Sequence, residues 1–178
     1  MVDTLFSNKK VTNSLMPNGD WHLKFDNYAL HKSSNLIPDT FFENQTRTFK
    51  DLYIIDSKYY TFGIDKNVPN SLPQTSSIQK QFTYAEYIHQ KYNNEYRFIY
   101  NIFILPYNKE ENLFGYNNNI EYFGYADADW PDKNQSFSKI YSFFIDLKYL
   151  IHCYNHKVFD DYDKNTIIET INKITTIK

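Results

Sequence analysis

The chain has few cysteines, which can cross-link it, and few glycines and prolines, which interrupt helices and strands. Its 178 residues include one cysteine, Cys153, four glycines and six prolines. A single cysteine excludes an intramolecular disulfide and fits a reducing compartment. No GxxxxGK[ST] motif occurs in the sequence. A phosphate-binding loop of that type is therefore excluded.

Long apolar runs and a strong net charge are also missing. No segment is long and apolar enough to span a bilayer. Residues 1–6 lack the basic-then-apolar pattern of a signal peptide. We therefore expect a cytoplasmic protein with no membrane association. The formal net charge is -2, which excludes a basic DNA-wrapping surface at the level of total composition but allows a local basic face.

The composition suits a folded chain. Hydrophobic residues make up 42% and aromatic residues 19%, with 17 Tyr and 15 Phe, which is enough to build a core and excludes global disorder. The length predicts a single domain over residues 1–178.

Hydrophobic periodicity predicts a mixed sheet with helices. Residues 1–19 are polar and have little helical pattern, a hairpin turn is expected at 43–46, and a long loop is expected at 63–75. The helix over 78–91 would be N-capped by Ser76 or Ser77, and another would begin at Asp146. This order is typical of an α/β or α+β core. Strands are predicted over 21–30, 36–43, 48–62, 97–105, 120–126 and 140–145, and a last helix over 164–177.

Two of these predicted strands contain a short apolar run that ends in charged groups. The first carries Pro38 and Asp39, and the second runs through Tyr53 to Asp56 and Lys58. Isolated buried charges are costly, so these groups are expected to meet a partner, a metal or each other. Two neighbouring strands that each deliver an acid, with a lysine two residues beyond the second acid, can form a divalent-metal site beside a group that orients or deprotonates water.

This arrangement resembles the PD-(D/E)xK nuclease superfamily. Pro38-Asp39 matches its "PD" and Asp56-Ser57-Lys58 its "(D/E)xK". The flanking stretches YIIDSKYY at 53–60, KQFTY at 80–84 and IFILP at 102–106 are similar to the nuclease domain of McrBC-like and LlaJI-like restriction endonucleases, over about residues 20–155.

The resemblance implies a restriction-endonuclease-like core, with a central mixed β-sheet flanked by helices, and a Mg²⁺-dependent DNA endonuclease of a restriction-modification type system. Mn²⁺ would substitute for Mg²⁺. The implied residues are Asp39, Asp56 and the carbonyl of Ser57 as metal ligands, Asp39, Asp56, Lys58 and Gln81 as catalytic residues, and Lys80 and Tyr84 as substrate contacts, where Lys80, Gln81 and Tyr84 would share one helix face.

The implied partners are double-stranded DNA and either a second copy of the chain on DNA or a partner subunit for recognition or nucleoside-triphosphate hydrolysis. Many superfamily members add a glutamate from an upstream helix, but residues 1–19 contain none. Three explanations stay open: the acid is absent, Asp20 or Asp26 replaces it, or the chain is a fragment of a longer protein without its DNA-recognition module. The alternative function is a non-catalytic interaction protein of the immunity or antitoxin kind, which the acidic balance and the missing glutamate favour.

Two further clusters carry weaker signals. His152 and His156 are spaced to share a helix face, but no third ligand has suitable spacing, so packing is the preferred interpretation. The acidic segment 127–132 lacks the glycine and terminal glutamate of an EF-hand and is predicted to be a solvated turn.

Overall fold

A five-stranded mixed sheet with the strand order β3-β4-β5-β7-β6 forms the centre of the protein. The computed structural model describes residues 1–8, 16–22, 31–60, 72–92, 95–158 and 161–176. The strands are β1 (Asn18–His22), β2 (His31–Asn35), β3 (Thr40–Gln45), β4 (Lys50–Ser57), β5 (Phe98–Tyr107), β6 (Ile120–Asp127) and β7 (Lys139–Asp146). The helices are α1 (Val2–Phe6), α2 (Thr75–Lys91), α3 (Leu147–His156) and α4 (Tyr162–Thr176).

The strand directions bring the ends of several strands together at one end of the sheet. β4, β5 and β7 are parallel to one another, whereas β3 is antiparallel to β4 and β6 is antiparallel to β7. The carboxyl ends of β4, β5 and β7 therefore lie beside the beginnings of β3 and β6. β1 and β2 form a separate antiparallel pair. The predicted α+β fold, a mixed sheet flanked by helices that is consistent with a restriction-endonuclease-like core, is confirmed.

Both faces of β4 are buried, which explains its continuous apolar run. Leu52 and Ile54 pack on one face against Tyr84 and Ala85 of α2. On the other face, Tyr53 and Ile55 belong to a cluster that α1, α3 and α4 complete, with Leu5, Phe6, Leu150 and Ile167. The sheet is thus covered by α2 on one side and by three helices on the other. No helix in the described ranges has both the length and the apolar character that a bilayer crossing requires.

The outer side of β3 is held by a side chain from the N-terminal segment. The Asn8 amide nitrogen donates to the backbone oxygen of Glu43 at 2.8 Å, and the Glu43 N–H donates to the Asn8 side-chain oxygen at 2.7 Å. This pair of bonds reproduces what a neighbouring strand would offer at one residue. Asn8 follows α1, which the sequence did not predict although Val2, Leu5 and Phe6 have helical spacing and are buried.

Several predicted boundaries differ from the observed ones. β3 begins at Thr40 rather than at residue 36, and the hairpin turn lies at 46–49, where the Thr46 N–H donates to the Phe49 carbonyl. The predicted N-cap at Ser76 or Ser77 is wrong because α2 begins one turn earlier: Gln74 is its N-cap, and the Ser77 N–H donates to the Gln74 carbonyl.

Other predicted elements are found with shifted ends or lie partly outside the described residues. β5 continues through Pro106, and the loss of an N–H there is tolerated because β4, the neighbour on that side, has already ended. Asp146 is the N-cap of α3, as predicted, and its carboxylate accepts the Tyr149 N–H at 2.9 Å. Of the predicted strand 21–30 and loop 63–75, residues 23–30 and 63–71 lie outside the described residues.

Candidate active site

The first residues of β3 and the last residues of β4 bring two carboxylates together. Thr40 pairs with Ile55, so the same register, continued by one residue, sets Asp39 opposite Asp56. The Asp39 carboxylate accepts the Ser57 N–H at 2.7 Å. Asp39 is exposed and Asp56 is 6% exposed. One acid therefore faces solvent at the sheet edge while the other lies just inside it.

Lys58 joins these carboxylates on the same face. Side chains two residues apart on an extended chain point to the same side, and the Lys58 ammonium lies 2.5 Å from the Asp56 carboxylate. The backbone N–H of Lys58 donates to the Ile104 carbonyl of β5 at 2.8 Å. The ammonium also lies 5.9 Å from the centre of the Phe103 ring. Sequence reasoning missed Phe103, since only the pairing of Asp56 with Phe103 in the sheet reveals this contact.

The electrostatics of the site are dominated by burial. Burial raises the pKa of Asp56, and the neighbouring Asp39 carboxylate raises it further, while hydrogen bonding and attraction to Lys58 oppose the change. Two acids held together in a partly dry site favour the binding of a cation. In this structure the Lys58 ammonium supplies that positive charge.

Tyr84 approaches the two carboxylates from α2. Burial, followed by the charges of Asp56 and Asp39, raises the pKa of Tyr84 to about 12. The phenol is therefore protonated at neutral pH and can donate a hydrogen bond. Its hydroxyl donates to the Ile37 carbonyl at 3.2 Å, within the segment that leads to Asp39.

The other two predicted helix residues point in different directions. Gln81 is fully buried, and its amide nitrogen donates to the carbonyls of Ile54 at 2.8 Å and Ile102 at 3.3 Å. Its side-chain oxygen is buried and has no hydrogen-bond partner among the residues that the structure describes. Lys80 is exposed on the solvent side of α2. The expectation that Lys80 shares a face with Gln81 and Tyr84 is therefore wrong, because adjacent helix positions diverge by about 100°.

The donor set suits a hard divalent cation. Among the described residues, no group of three or more His, Cys, Asp or Glu side chains could hold a metal. Asp39, Asp56 and the Ser57 carbonyl would supply oxygen ligands only, and Mg²⁺ commonly binds through one or two carboxylates while it keeps several waters. Asp26 and the side chain of Asp20 lie outside the described residues.

The two weaker clusters of the sequence lie elsewhere. The His152 and His156 rings stack on α3 with their centres 4.3 Å apart. Asp132 binds within its own turn, where its carboxylate accepts the Asn134 N–H at 2.9 Å, and this bond lowers the pKa of Asp132. Both observations agree with the structural roles predicted for these segments.

Comparison with known proteins identifies a family for this chain. A family model described as LlaJI restriction endonuclease matches residues 1–148. The matched range contains every residue that the sequence assigned to the site. None of the curated proteins matches the chain.

Proposed function

Because the chain belongs to the LlaJI restriction endonuclease family, we propose that it is a metal-dependent DNA endonuclease of a restriction system, built on the PD-(D/E)xK plan. The observation that carries this proposal is the convergence of Asp39, Asp56 and Lys58 at the end of two paired strands. Two acids that can hold a cation, with an amine beside them, can activate a water molecule and neutralise charge on the phosphate, as phosphodiester hydrolysis requires.

Asp39, Asp56 and the Ser57 carbonyl would hold the cation, with Mg²⁺ preferred and Mn²⁺ as a substitute. Bound there, the ion would polarise the scissile phosphate and lower the pKa of a water molecule. The Ser57 N–H keeps the Asp39 carboxylate in place through its 2.7 Å bond. Asp39 therefore needs little reordering to act as a ligand, which favours binding.

The remaining residues would act on the water and the phosphate. Lys58 carries its ammonium beside Asp56, from where it would orient the attacking water and offset the negative charge that grows on the phosphate. Tyr84 would donate its hydroxyl proton in a hydrogen bond to a phosphate oxygen. Lys80 would bind a neighbouring phosphate from the exposed side of α2. Gln81 would act from the buried side of the site, where its amide nitrogen links β4 to β5 by donating to a carbonyl of each strand.

The substrate would be double-stranded DNA in the cytoplasm. Cutting both strands requires two active sites or two successive cuts, so we propose either a homodimer on DNA or a partner subunit that supplies recognition or nucleoside-triphosphate hydrolysis. The net charge of -2 supports the partner subunit, since a subunit with a positive surface would strengthen binding to the phosphate backbone whereas a second copy adds no net positive charge.

A plasmid-cutting assay tests the proposal. The purified chain, alone and with proteins encoded by neighbouring genes, is incubated with supercoiled DNA and Mg²⁺ or Mn²⁺. We expect nicking that EDTA stops and that Asp56→Asn abolishes. The matched control is Asp129→Asn, which makes the same chemical change at an exposed acid and should leave nicking unchanged. If the wild-type protein cuts no DNA under any of these conditions, the proposed function is wrong.

A non-catalytic interaction protein is the second candidate. The observation that favours it is the count of ligands, because the described residues supply two carboxylates and no third acid at this edge. The two candidates separate at Lys58. A nuclease loses cutting when this amine is removed while it stays folded, whereas an interaction protein keeps its partner.

A further inference from the structure

The loop 108–119 extends beyond the edge of the sheet that carries the candidate active site. β4 ends at Ser57, which pairs with Ile104 of β5. β5 continues for three more residues to Tyr107. At about 3.3 Å per residue the loop begins roughly 10 Å beyond the level of Ser57. A duplex that rests on the site would therefore meet this loop.

The loop also folds onto the same face as the carboxylates. The Phe114 ring packs against Phe144 of β7, with 5.2 Å between the ring centres. Phe144 shares a hydrophobic cluster with Phe103, the residue beneath the Lys58 ammonium. β7 lies two strands from β4, which corresponds to roughly 10 Å. The loop and the carboxylates are thus close enough to contact one turn of DNA.

The tip of the loop is held rigidly by one side chain. The Asn112 amide oxygen accepts the N–H groups of Phe114 at 3.1 Å and Tyr116 at 3.0 Å. Its amide nitrogen donates to the carbonyls of Lys109 at 2.7 Å and Tyr116 at 2.8 Å. Gly115 adopts a φ of 71°, a left-handed value that glycine tolerates at little cost. The turn is therefore fixed before any ligand binds.

This rigid turn presents apolar side chains to solvent. Leu113 is 59% exposed and Phe114 is 39% exposed. Glu110, in the same loop, is paired with the Lys148 ammonium, which reduces its repulsion of phosphate. Proteins that distort DNA insert Leu or Phe side chains between base steps. A side chain on a preorganised turn can do so without a large ordering cost.

We propose that Leu113, supported by Phe114, is a wedge that enters the duplex beside the scissile phosphate and unstacks a base step. This inference rests on the proposed nuclease function and adds a property of the same site. Unstacking would open the backbone locally and let the phosphate reach Asp39 and Asp56. The wedge would then contribute to cutting without touching the reacting atoms.

The test compares two duplexes that contain a site cut by the wild-type protein, one intact and one with a mismatched pair beside the cut. A mismatch supplies part of the unstacking in advance. We expect Leu113→Ala to cut the intact duplex about tenfold more slowly and the mismatched duplex at the wild-type rate. Ile151→Ala removes an aliphatic side chain of similar exposure, 46%, from α3 on the opposite face, and should change neither rate.

A second measurement reports unstacking directly. A 2-aminopurine beside the cut should brighten when the Asp56→Asn protein binds, and this increase should vanish when Leu113→Ala is added to it. If Leu113→Ala slows both duplexes equally and leaves the fluorescence unchanged, Leu113 contacts a partner protein or supports the loop, and the wedge is wrong while the nuclease stands. If the wild-type protein cuts no DNA, so that no such duplex can be made, the nuclease proposal is overturned instead.

Discussion

Replacement of Lys58 by methionine is the sharpest probe of the site. The change keeps an unbranched side chain of similar size and removes the ammonium that lies 2.5 Å from Asp56. If this amine orients the attacking water and offsets phosphate charge, its loss should slow cutting by about a hundred- to ten-thousandfold. That factor corresponds to roughly 3 to 5 kcal/mol of transition-state stabilisation.

The same change should cost some stability, because Asp56 loses its counter-charge. The side chains of Lys58 and Asp56 are 17% and 9% exposed, so the pair lies between an exposed pair, worth less than about 1 kcal/mol, and a fully buried one, whose disruption costs about 3 to 5 kcal/mol. Burial already raises the pKa of Asp56, so proton uptake limits the penalty. We expect the free energy of unfolding to fall by about 1 to 3 kcal/mol.

The assay is single-turnover nicking of supercoiled plasmid with Mg²⁺, together with urea denaturation of the same preparations. Lys50→Met is the matched control, since Lys50 also pairs with a carboxylate, Glu95, but its side chain is 37% exposed. It should keep its stability to within about 1 kcal/mol and its cutting rate. A folded Lys58→Met protein that nicks as fast as the wild type would refute the role given to this amine, as would equal losses in the two variants.

The other predictions concern the surroundings of the site. Gln81→Leu should lower the free energy of unfolding by about 1 to 3 kcal/mol, because two buried carbonyls lose their donor. If cutting falls by more than the amount of folded protein, Gln81 acts at the site as well. Because the pKa of Asp56 is raised above its ordinary 3.8, the ionised carboxylate destabilises the fold above its folded-state pKa. Asp56→Asn should therefore melt at a higher temperature than the wild type at pH 7, and the gain should fade as the pH falls toward 3.8; a gain that grows in acid contradicts this reasoning. Asp51 is 3% exposed and accepts two bonds of 2.9 and 2.5 Å from Arg97, whose side chain is 39% exposed. Asp51→Asn should therefore cost about 1 to 3 kcal/mol in urea denaturation without changing the cutting rate per folded molecule, because this pair lies at the opposite end of β4 from Asp56.

Local signals in the sequence predicted the elements that depend on local interactions. The apolar run around Tyr53 predicted β4, and Asp146 was placed at the start of α3, where its carboxylate is indeed the cap. The regular spacing of Ile167 and Ile171 predicted α4, and both side chains are fully buried. Such features need only the chain within a few residues.

The surroundings of the two acids and Lys58 depend on tertiary packing, which local sequence patterns do not show. The spacing on α2 predicts that Lys80, Gln81 and Tyr84 share one face, but the packing of the helix on β4 turns Gln81 inward and leaves Lys80 in solvent. β7 lies between β5 and β6, so the strand that follows β5 in the chain is not its neighbour. That crossover places the loop 108–119 beside the site, and no local sequence pattern indicates this placement.

The bonds between Asn8 and Glu43 bear on how two copies could assemble. The backbone N–H and carbonyl of Glu43 are already hydrogen-bonded to Asn8. A second molecule could therefore pair with β3 at Glu43 only if it displaced the Asn8 amide. Growth of the sheet from this margin into fibres or strand-exchanged pairs is disfavoured for the same reason. A symmetric assembly on DNA would therefore form more readily through other surfaces, with the exposed Asp39 beside the start of β3 left accessible to the nucleic acid.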